Sequence, residues 1–168
     1  MPKYIMLIGL PASGKSSWAA EFIARHSELN YQVVSSDDIL EEMGRRDGLN
    51  YTASYDKFIR HAIREMEQRF ARFVKEGANI IHDQTNVSVK TRKIHLAKVK
   101  GYEKSAIVFS PSEAEWRRRT EKRKDETGKD SPGYVIEGMK KAFELPTRKE
   151  GFVEIITIEN HRHNASTA

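Results

Sequence analysis

Cysteine is missing from this chain of 168 residues. Its absence excludes disulfides, thiolate metal sites and a cysteine nucleophile, and is compatible with the reducing environment of a cytoplasm. Long apolar runs are missing as well. No stretch approaches the ~18 residues that cross a bilayer, and the first apolar segment stops at Ile8, so neither a secretory signal nor a membrane partner is expected. Internal repeats, low-complexity segments and an interdomain linker are also lacking. Acidic residues are in deficit, 24 against 29 lysines and arginines, and the resulting charge of +5 favours polyanionic partners. With 38% hydrophobic and 32% charged residues the chain has enough apolar material for one globular domain. We expect that domain over residues 1–159, followed by a disordered tail over 160–168.

What is present is most informative at residues 9 to 16, Gly-Leu-Pro-Ala-Ser-Gly-Lys-Ser, directly after the apolar run Tyr4-Ile5-Met6-Leu7-Ile8. A strand followed by this spacing is the grammar of a Walker A phosphate cradle. Gly9 and Gly14 let the backbone curl so that its amides point at a phosphate, Lys15 supplies a mobile positive charge, and Ser16 offers a hydroxyl to Mg²⁺. A helix starting near Lys15 aims its positive end at the same anion. ATP with Mg²⁺ is therefore expected on Gly9, Ala12, Ser13, Gly14, Lys15, Ser16 and Ser17.

Short β-branched runs at Ile5–Ile8, Tyr31–Val34, Asn79–Ile81, Ser105–Phe109 and Val153–Ile158 read as five strands. Helical patterns separate them. The clearest runs from Tyr55 through Phe58, Ile59, Ala62, Ile63, Met66, Phe70 and Phe73 to Val74 as one apolar stripe, stopped by Gly77. A later helix opens at Pro132 and carries Val135, Ile136, Met139, Ala142 and Phe143 as core packing. Alternating strands and helices predict an α/β fold: a mostly parallel five-stranded sheet flanked by helices, with ligands at the carboxyl ends of the strands.

Three polar clusters fall at those ends. After the second strand, Ser35-Ser36-Asp37-Asp38 brings paired carboxylates, and Asp37 is the candidate general base for a hydroxyl acceptor. The same residues read as a helix N-terminus, with Ser36 or Asp37 capping and Asp38 complementing the dipole. Both roles are compatible. After the third strand, His82-Asp83-Gln84-Thr85-Asn86 offers Asp83 to Mg²⁺ or its waters and Thr85 and Asn86 to the acceptor or γ-phosphate, while Asn86 or Ser88 is suited to cap the next helix. His82, with no second ligand at metal spacing, reads as a satisfied sheet-edge histidine. After the fourth strand a basic helix starting near Ser112 carries Arg119 and Arg123 on one face. They read either as a lid closing on the phosphates or as a solvated basic surface compensated by Glu121 and Asp125. The run Asp125–Asp130 beyond has the composition of a mobile hinge.

Taken in order, the loop Gly9–Trp18, Ser36-Asp37-Asp38, Asp83-Gln84-Thr85-Asn86 and the arginine-rich helix resemble the 5′-kinase domain of phage polynucleotide kinase over roughly residues 3 to 145. The resemblance implies a P-loop kinase fold with an arginine-bearing helical lid. It also implies Asp37 as the base for a 5′-hydroxyl, Lys15 and Ser16 on the phosphates, and Arg119 and Arg123 as lid arginines, with Arg123 also on the nucleotide. One departure is Leu40, which stands where that family has an arginine gripping the acceptor; Arg45 and Arg46 are the nearby substitutes. The carboxyl half, Asp83–Val87, Lys104–Val108, Asp125–Pro132 and Phe143–Pro146, is similar to the kinase-like domain of heterogeneous nuclear ribonucleoprotein U, in which the aspartate pair is absent.

These readings imply an ATP-dependent polynucleotide kinase acting on a nucleic-acid partner, most simply at a 5′-hydroxyl end of DNA or RNA. Its catalytic residues are Lys15, Asp37, Arg119 and Arg123. Asp37, Asp83, Thr85 and Asn86 face the acceptor, and Ser16 and Asp83 hold the metal. The expected compartment is the cytoplasm, or a host cytoplasm if a phage encodes the chain. Left open are a hydroxymethylated DNA base or a nucleoside as acceptor, and a nucleotide-gated RNA-binding module without transfer.

Overall fold

The computed structural model describes residues 1–159; the tail expected over 160–168 lies outside them. Strands β1 (Lys3–Ile8), β2 (Gln32–Val34), β3 (Ile80–Asp83), β4 (Glu103–Phe109) and β5 (Glu154–Ile158) form one sheet in the order β2-β3-β1-β4-β5. All four pairings are parallel, so the sheet is fully rather than mostly parallel. Helices α1 (Lys15–Arg25), α2 (Ser36–Arg46), α3 (Tyr51–Glu76), α4 (Val89–Leu96), α5 (Glu113–Thr127) and α6 (Gly133–Ala142) connect the strands.

Period-two alternation in β1 explains the two core layers. Tyr4, Met6 and Ile8 face one side, packed with Ile39 and Leu40 of α2, Met66, Phe70 and Phe73 of α3, and Leu96 of α4. Ile5 and Leu7 face the other, against Ala19, Trp18 and Phe22 of α1. A strand apolar on both faces belongs in the interior of a parallel sheet. β1 is its central strand, and the phosphate loop leaves its carboxyl end.

Helix boundaries follow local chemistry. Ser88 and Ser112 cap α4 and α5, their hydroxyls accepting from Thr91 N and Glu115 N. Ser88 is therefore the cap and Asn86 is not. Ser35 caps α2, accepting from Asp38 N at 3.3 Å. That corrects the expectation of Ser36 or Asp37, and it leaves both aspartates in the first helical turn. Asn50 caps α3, and Gly77 ends it with φ 66°.

The stripe of α3 is narrower than its sequence predicts. Ala62, Met66, Phe70 and Phe73 are buried, whereas Tyr55 and Ile63 are nearly half exposed. At the tight α2–α3 crossing, where a Cβ on Gly44 would stand 2.1 Å from Ser54 Oγ, Ser54 is buried and its neighbour Tyr55 is not. In α6 only Ile136 is fully buried and Ala142 is exposed. Helix α5 runs on through Thr127, so Asp125 and Glu126 are helical and not part of a hinge.

Arg92, fully buried, closes the back of the fold. Its guanidinium donates to both carboxylate oxygens of Glu150 at 2.8 and 3.1 Å and to the carbonyls of Asn86, Val87 and Glu144.

Candidate active site

The loop from Gly9 to Gly14 has the geometry of an anion cradle. Ala12 and Gly14 take left-handed φ of 62° and 104°, and α1 begins without a side-chain cap, leaving its first amides for a ligand. Gly9 must lack a side chain, because a Cβ there would lie 2.6 Å from Ser13 Oγ and 3.1 Å from Phe109 Cβ. Gly9 N donates to the Thr85 carbonyl at 3.0 Å. Ser13 Oγ is buried without a partner. Ser17, beside these groups, is exposed.

Lys15 is folded back over the loop, its Nζ donating to the Gly9 and Leu10 carbonyls, each at 2.9 Å. Burial pushes its ammonium down to about 8, against the pull of the Asp83 carboxylate, with Arg123 pushing further down and Asp37 pulling up. A buried ammonium beside loop amides has the chemistry to bind phosphate.

Ser16 Oγ donates to Asp83 Oδ2 at 2.6 Å. Burial raises the Asp83 carboxyl, while Lys15 and the Ser16 hydroxyl oppose the rise. A hydroxyl and one carboxylate are hard oxygen donors, and Mg²⁺ takes one or two such ligands while keeping waters and phosphate oxygens. The pair fits that ion. Among the described residues no group of three or more His, Cys, Asp or Glu forms an all-protein metal cage.

Asp37, in the first turn of α2, is partly exposed and held from two sides. Tyr51 Oη donates to Oδ1 at 3.2 Å and Arg123 Nη2 to Oδ2 at 3.3 Å. The sequence brought Asp37 and Arg123 to this cleft, but it did not reveal Tyr51. Asp38 borders a small cavity with Val33, Val34, Met66 and Arg69, and desolvation raises its carboxyl, with Asp83 and Asp37 adding to the rise.

Arg119 lies against the loop. Its Nη1 donates to the Ser13 carbonyl at 2.9 Å and its Nε to Glu115 at 2.8 Å. Arg118 and Arg119 hold the Glu115 carboxyl down at about 2. Ion pairs along α5 use Glu113, Glu115, Glu126 and Asp130; of the expected partners, Asp125 acts on Lys124 through charge alone, and Glu121 forms no ion pair among the described residues. Trp116 Nε1 donates to the Pro11 carbonyl at 2.8 Å, a second grip on the loop that sequence reading missed.

The third cluster divides. Asp83 reaches the cleft, Thr85 contributes its carbonyl, and Gln84 exchanges hydrogen bonds with Ser36, tying β3 to α2. Asn86 does not open onto the cleft: it is buried with φ 48°, and its amide donates to the Leu7 carbonyl at 2.8 Å. Its geometry is that of a brace beneath the loop.

His82 is not at a sheet edge, since β3 lies between β2 and β1. Nor is it satisfied. Nδ1 meets Tyr4 Oη at 2.6 Å, but Nε2 is buried without a partner, facing His95 at 4.4 Å between ring centres. Burial lowers its imidazole well below the usual range, aided by His95 and Lys98.

A phosphate cradle at the end of the central strand, with a serine–aspartate pair and arginines from a helix after the fourth strand, is a family arrangement. The profile described as AAA domain matches residues 5–146. This chain belongs to that AAA domain family. Among curated relatives, the AAA domain described here is similar to heterogeneous nuclear ribonucleoprotein U-like protein 2 of Mus musculus, 29% identical over 165 residues. That match covers 96% of this chain but only 22% of the relative's length. Among solved structures, it is similar to a chain of the Pnkp1/Rnl/Hen1 RNA repair complex, with TM-score 0.62 and 28% identity over 85% of this chain and 46% of that one. The fold is also shared with a chain of the PezAT chromosomal toxin–antitoxin system of Streptococcus pneumoniae, at TM-score 0.70 and 18% identity over 95% of this chain and 67% of that one. The architecture is that of an α/β P-loop kinase-like fold. No helix among the described residues is long and apolar enough to cross a membrane.

Proposed function

We propose that this AAA domain is an ATP-dependent polynucleotide kinase, transferring the γ-phosphate of ATP to a nucleic-acid hydroxyl, most simply the 5′-hydroxyl end of DNA or RNA. The observation that carries this reading is the contact between Asp37 and Arg123 beside the buried Lys15. A carboxylate, a lid guanidinium and a phosphate-binding ammonium then share one cleft. Support for the acceptor class comes from the net charge of +5 and from similarity to the RNA repair complex chain and the ribonucleoprotein relative.

In this reading the triphosphate occupies the amides of Ser13 to Ser17, and Lys15 leaves its two carbonyls for phosphate oxygens. A Mg²⁺ ion held by Ser16 and Asp83 would screen the triphosphate's charge. Asp37 takes the proton of the acceptor hydroxyl as that oxygen bonds to the γ-phosphorus, and the bond from this phosphorus to the β,γ-bridging oxygen breaks. ADP departs with the electron pair. Lys15, Arg119 and Arg123 offset charge on the transferring oxygens, so positioning and electrostatics supply most of the acceleration.

A second reading is favoured by the extent of the ribonucleoprotein match, 96% of this chain. It is a nucleotide-gated RNA-binding module in which Arg123 never leaves Asp37. One experiment separates them. Incubation with γ-labelled ATP and Mg²⁺ is run in parallel with 5′-hydroxyl DNA, 5′-hydroxyl RNA, hydroxymethylated duplex and free nucleosides. Label on either 5′-hydroxyl strand supports the proposal, and label on nucleosides alone overturns the polynucleotide assignment. ATP binding with no labelled product supports the binding module.

A further inference from the structure

The first two turns of α3 are unexplained by phosphate chemistry, yet they stand against the candidate base. Tyr51 donates its hydroxyl to Asp37 Oδ1 at 3.2 Å, and burial together with the Asp37 carboxylate pushes that phenol well above its usual range, so it remains a donor at working pH. One helical turn on, Tyr55 shares its face, with ring centres 6.3 Å apart and planes tilted by 41°. Tyr55 is 46% exposed. From the opposite side Lys129, just past α5, pairs with Glu41 of α2 and rests its ammonium 5.3 Å from the centre of the Tyr51 ring. The acid therefore sits at the foot of a wall made of two aromatic rings, one half-exposed and one partly buried, with a cation beside the inner ring.

We infer that this wall is the acceptor-recognition element, in which Tyr55 stacks the heterocyclic base of the acceptor nucleotide and Tyr51 is a positioning residue that aims Asp37. The inference deepens the polynucleotide kinase reading and rests on it. Base–aromatic stacking is sequence-tolerant, because every base has a π-face. The acceptor class is thus a single-stranded end with little preference for which base it carries. Tyr55 is too exposed for a core residue, and its neighbour is tied to the reacting acid. An isolated surface aromatic has no such tie. Leu40 is fully buried in the core, so it offers the acceptor nothing. Arg46 is paired with Glu42. Recognition then passes from an arginine grip to a stacked ring.

The test compares wild type with Tyr55→Ala, Tyr55→Trp and Tyr51→Phe, on a 5′-hydroxyl DNA strand and on the same strand with an abasic 5′-terminal residue. Melting temperatures check that each variant folds. Tyr55→Ala is expected to raise KM for the base-bearing strand by about tenfold or more. It leaves the abasic strand unaffected, and Tyr55→Trp restores the wild-type KM. Tyr51→Phe is expected to lower kcat rather than raise KM and to move the acid limb of the pH–rate profile upward, which a purely structural role would not do. Equal KM values for Tyr55→Ala and wild type on the base-bearing strand overturn the inference and leave the kinase reading standing. Absence of transfer by wild type to any acceptor overturns the kinase reading instead. In that case, anisotropy of a fluorescein-labelled single strand with ADP present decides the inference. Weaker binding by Tyr55→Ala supports it; equal binding, or no binding by wild type, overturns it.

Discussion

The carboxylate of Asp37 and the guanidinium of Arg123, 86 residues apart in sequence, meet at 3.3 Å across the mouth of the phosphate loop. Arg123 thus neutralises the acid that is proposed to act as base. In the proposed mechanism a bound triphosphate would offer Arg123 a denser anion, and its shift would free Asp37. On the proposed mechanism, this contact would couple donor binding to activation of the acceptor side.

This coupling separates two variants. Asp37→Asn is expected to lower kcat by about 10²- to 10⁴-fold, the range for general-base removal, with ADP affinity retained. Arg123→Ala is expected to lower kcat by about 10³-fold and to weaken ADP as well. Steady-state kinetics beside calorimetric ADP titration check the pair. Wild-type turnover in Asp37→Asn would remove the base from the mechanism.

Lys15 predicts a pH dependence of nucleotide affinity. In the free protein its ammonium titrates at about 8, and bound phosphates raise that value. Below pH 8 the charge is already in place. Above it, binding must take up a proton, so ADP affinity is expected to fall by about tenfold per pH unit until the bound-state value is reached. Calorimetry in buffers of different ionisation enthalpy reads the proton uptake directly. Lys15→Arg should remove the dependence, since arginine stays charged throughout.

His82 and His95 predict acid sensitivity of the whole fold. Burial lowers both imidazoles, and His82 Nε2 and His95 Nδ1 are buried without partners. The groups facing them are Tyr4 Oη, Lys98 and Glu67, and Lys98 and Glu67 are paired with each other. An unfolded chain takes up protons at both sites below about pH 6.5, whereas the folded one takes them up only at lower pH. Stability is therefore full above that pH and declines as pH falls, by about 1.4 kcal/mol per unit for each histidine. Urea midpoints at several pH values measure the slope, and His95→Leu is expected to reduce it by about half.

Gly44 predicts a steric effect at the α2–α3 crossing. A Cβ there would stand 2.1 Å from Ser54 Oγ and 2.9 Å from its Cβ, so Gly44→Ala is expected to cost about 1–3 kcal/mol by overpacking. Adding Ser54→Gly should recover part of the loss in urea unfolding. Because this crossing sets the distance from Tyr51 to Asp37, Gly44→Ala should also lower turnover beyond its effect on stability.

Much of this architecture was legible in the chain, and the misses share a cause. Five strands, the turn to α1 at Lys15 and the stop at Gly77 follow from local rules of periodicity and glycine placement. The loop residues, Asp37 and Arg123 were also readable, because motif spacing and position after successive strands fix them. Tyr51, Trp116 and the inward Asn86 were not. Each depends on a partner far along the chain, Asp37 for the first, Pro11 for the second and Leu7 for the third, and no local pattern encodes which distant group a side chain will meet. His82 was misread for the same reason: strand order, not the strand's own residues, decides whether it stands at an edge.

Arg92 gives the rear of the molecule a hand in what happens at the front. Its guanidinium binds Glu150 and the carbonyls of Asn86, Val87 and Glu144, and the residue just before Asn86, Thr85, lends the carbonyl that anchors Gly9. Loss of Glu150 strands a buried cation, at a cost of about 3–5 kcal/mol. The slack then travels along the turn into the cradle. Residues outside the cradle thus keep it in shape, and Glu150→Ala is expected to loosen the grip on phosphate without touching any grasping residue.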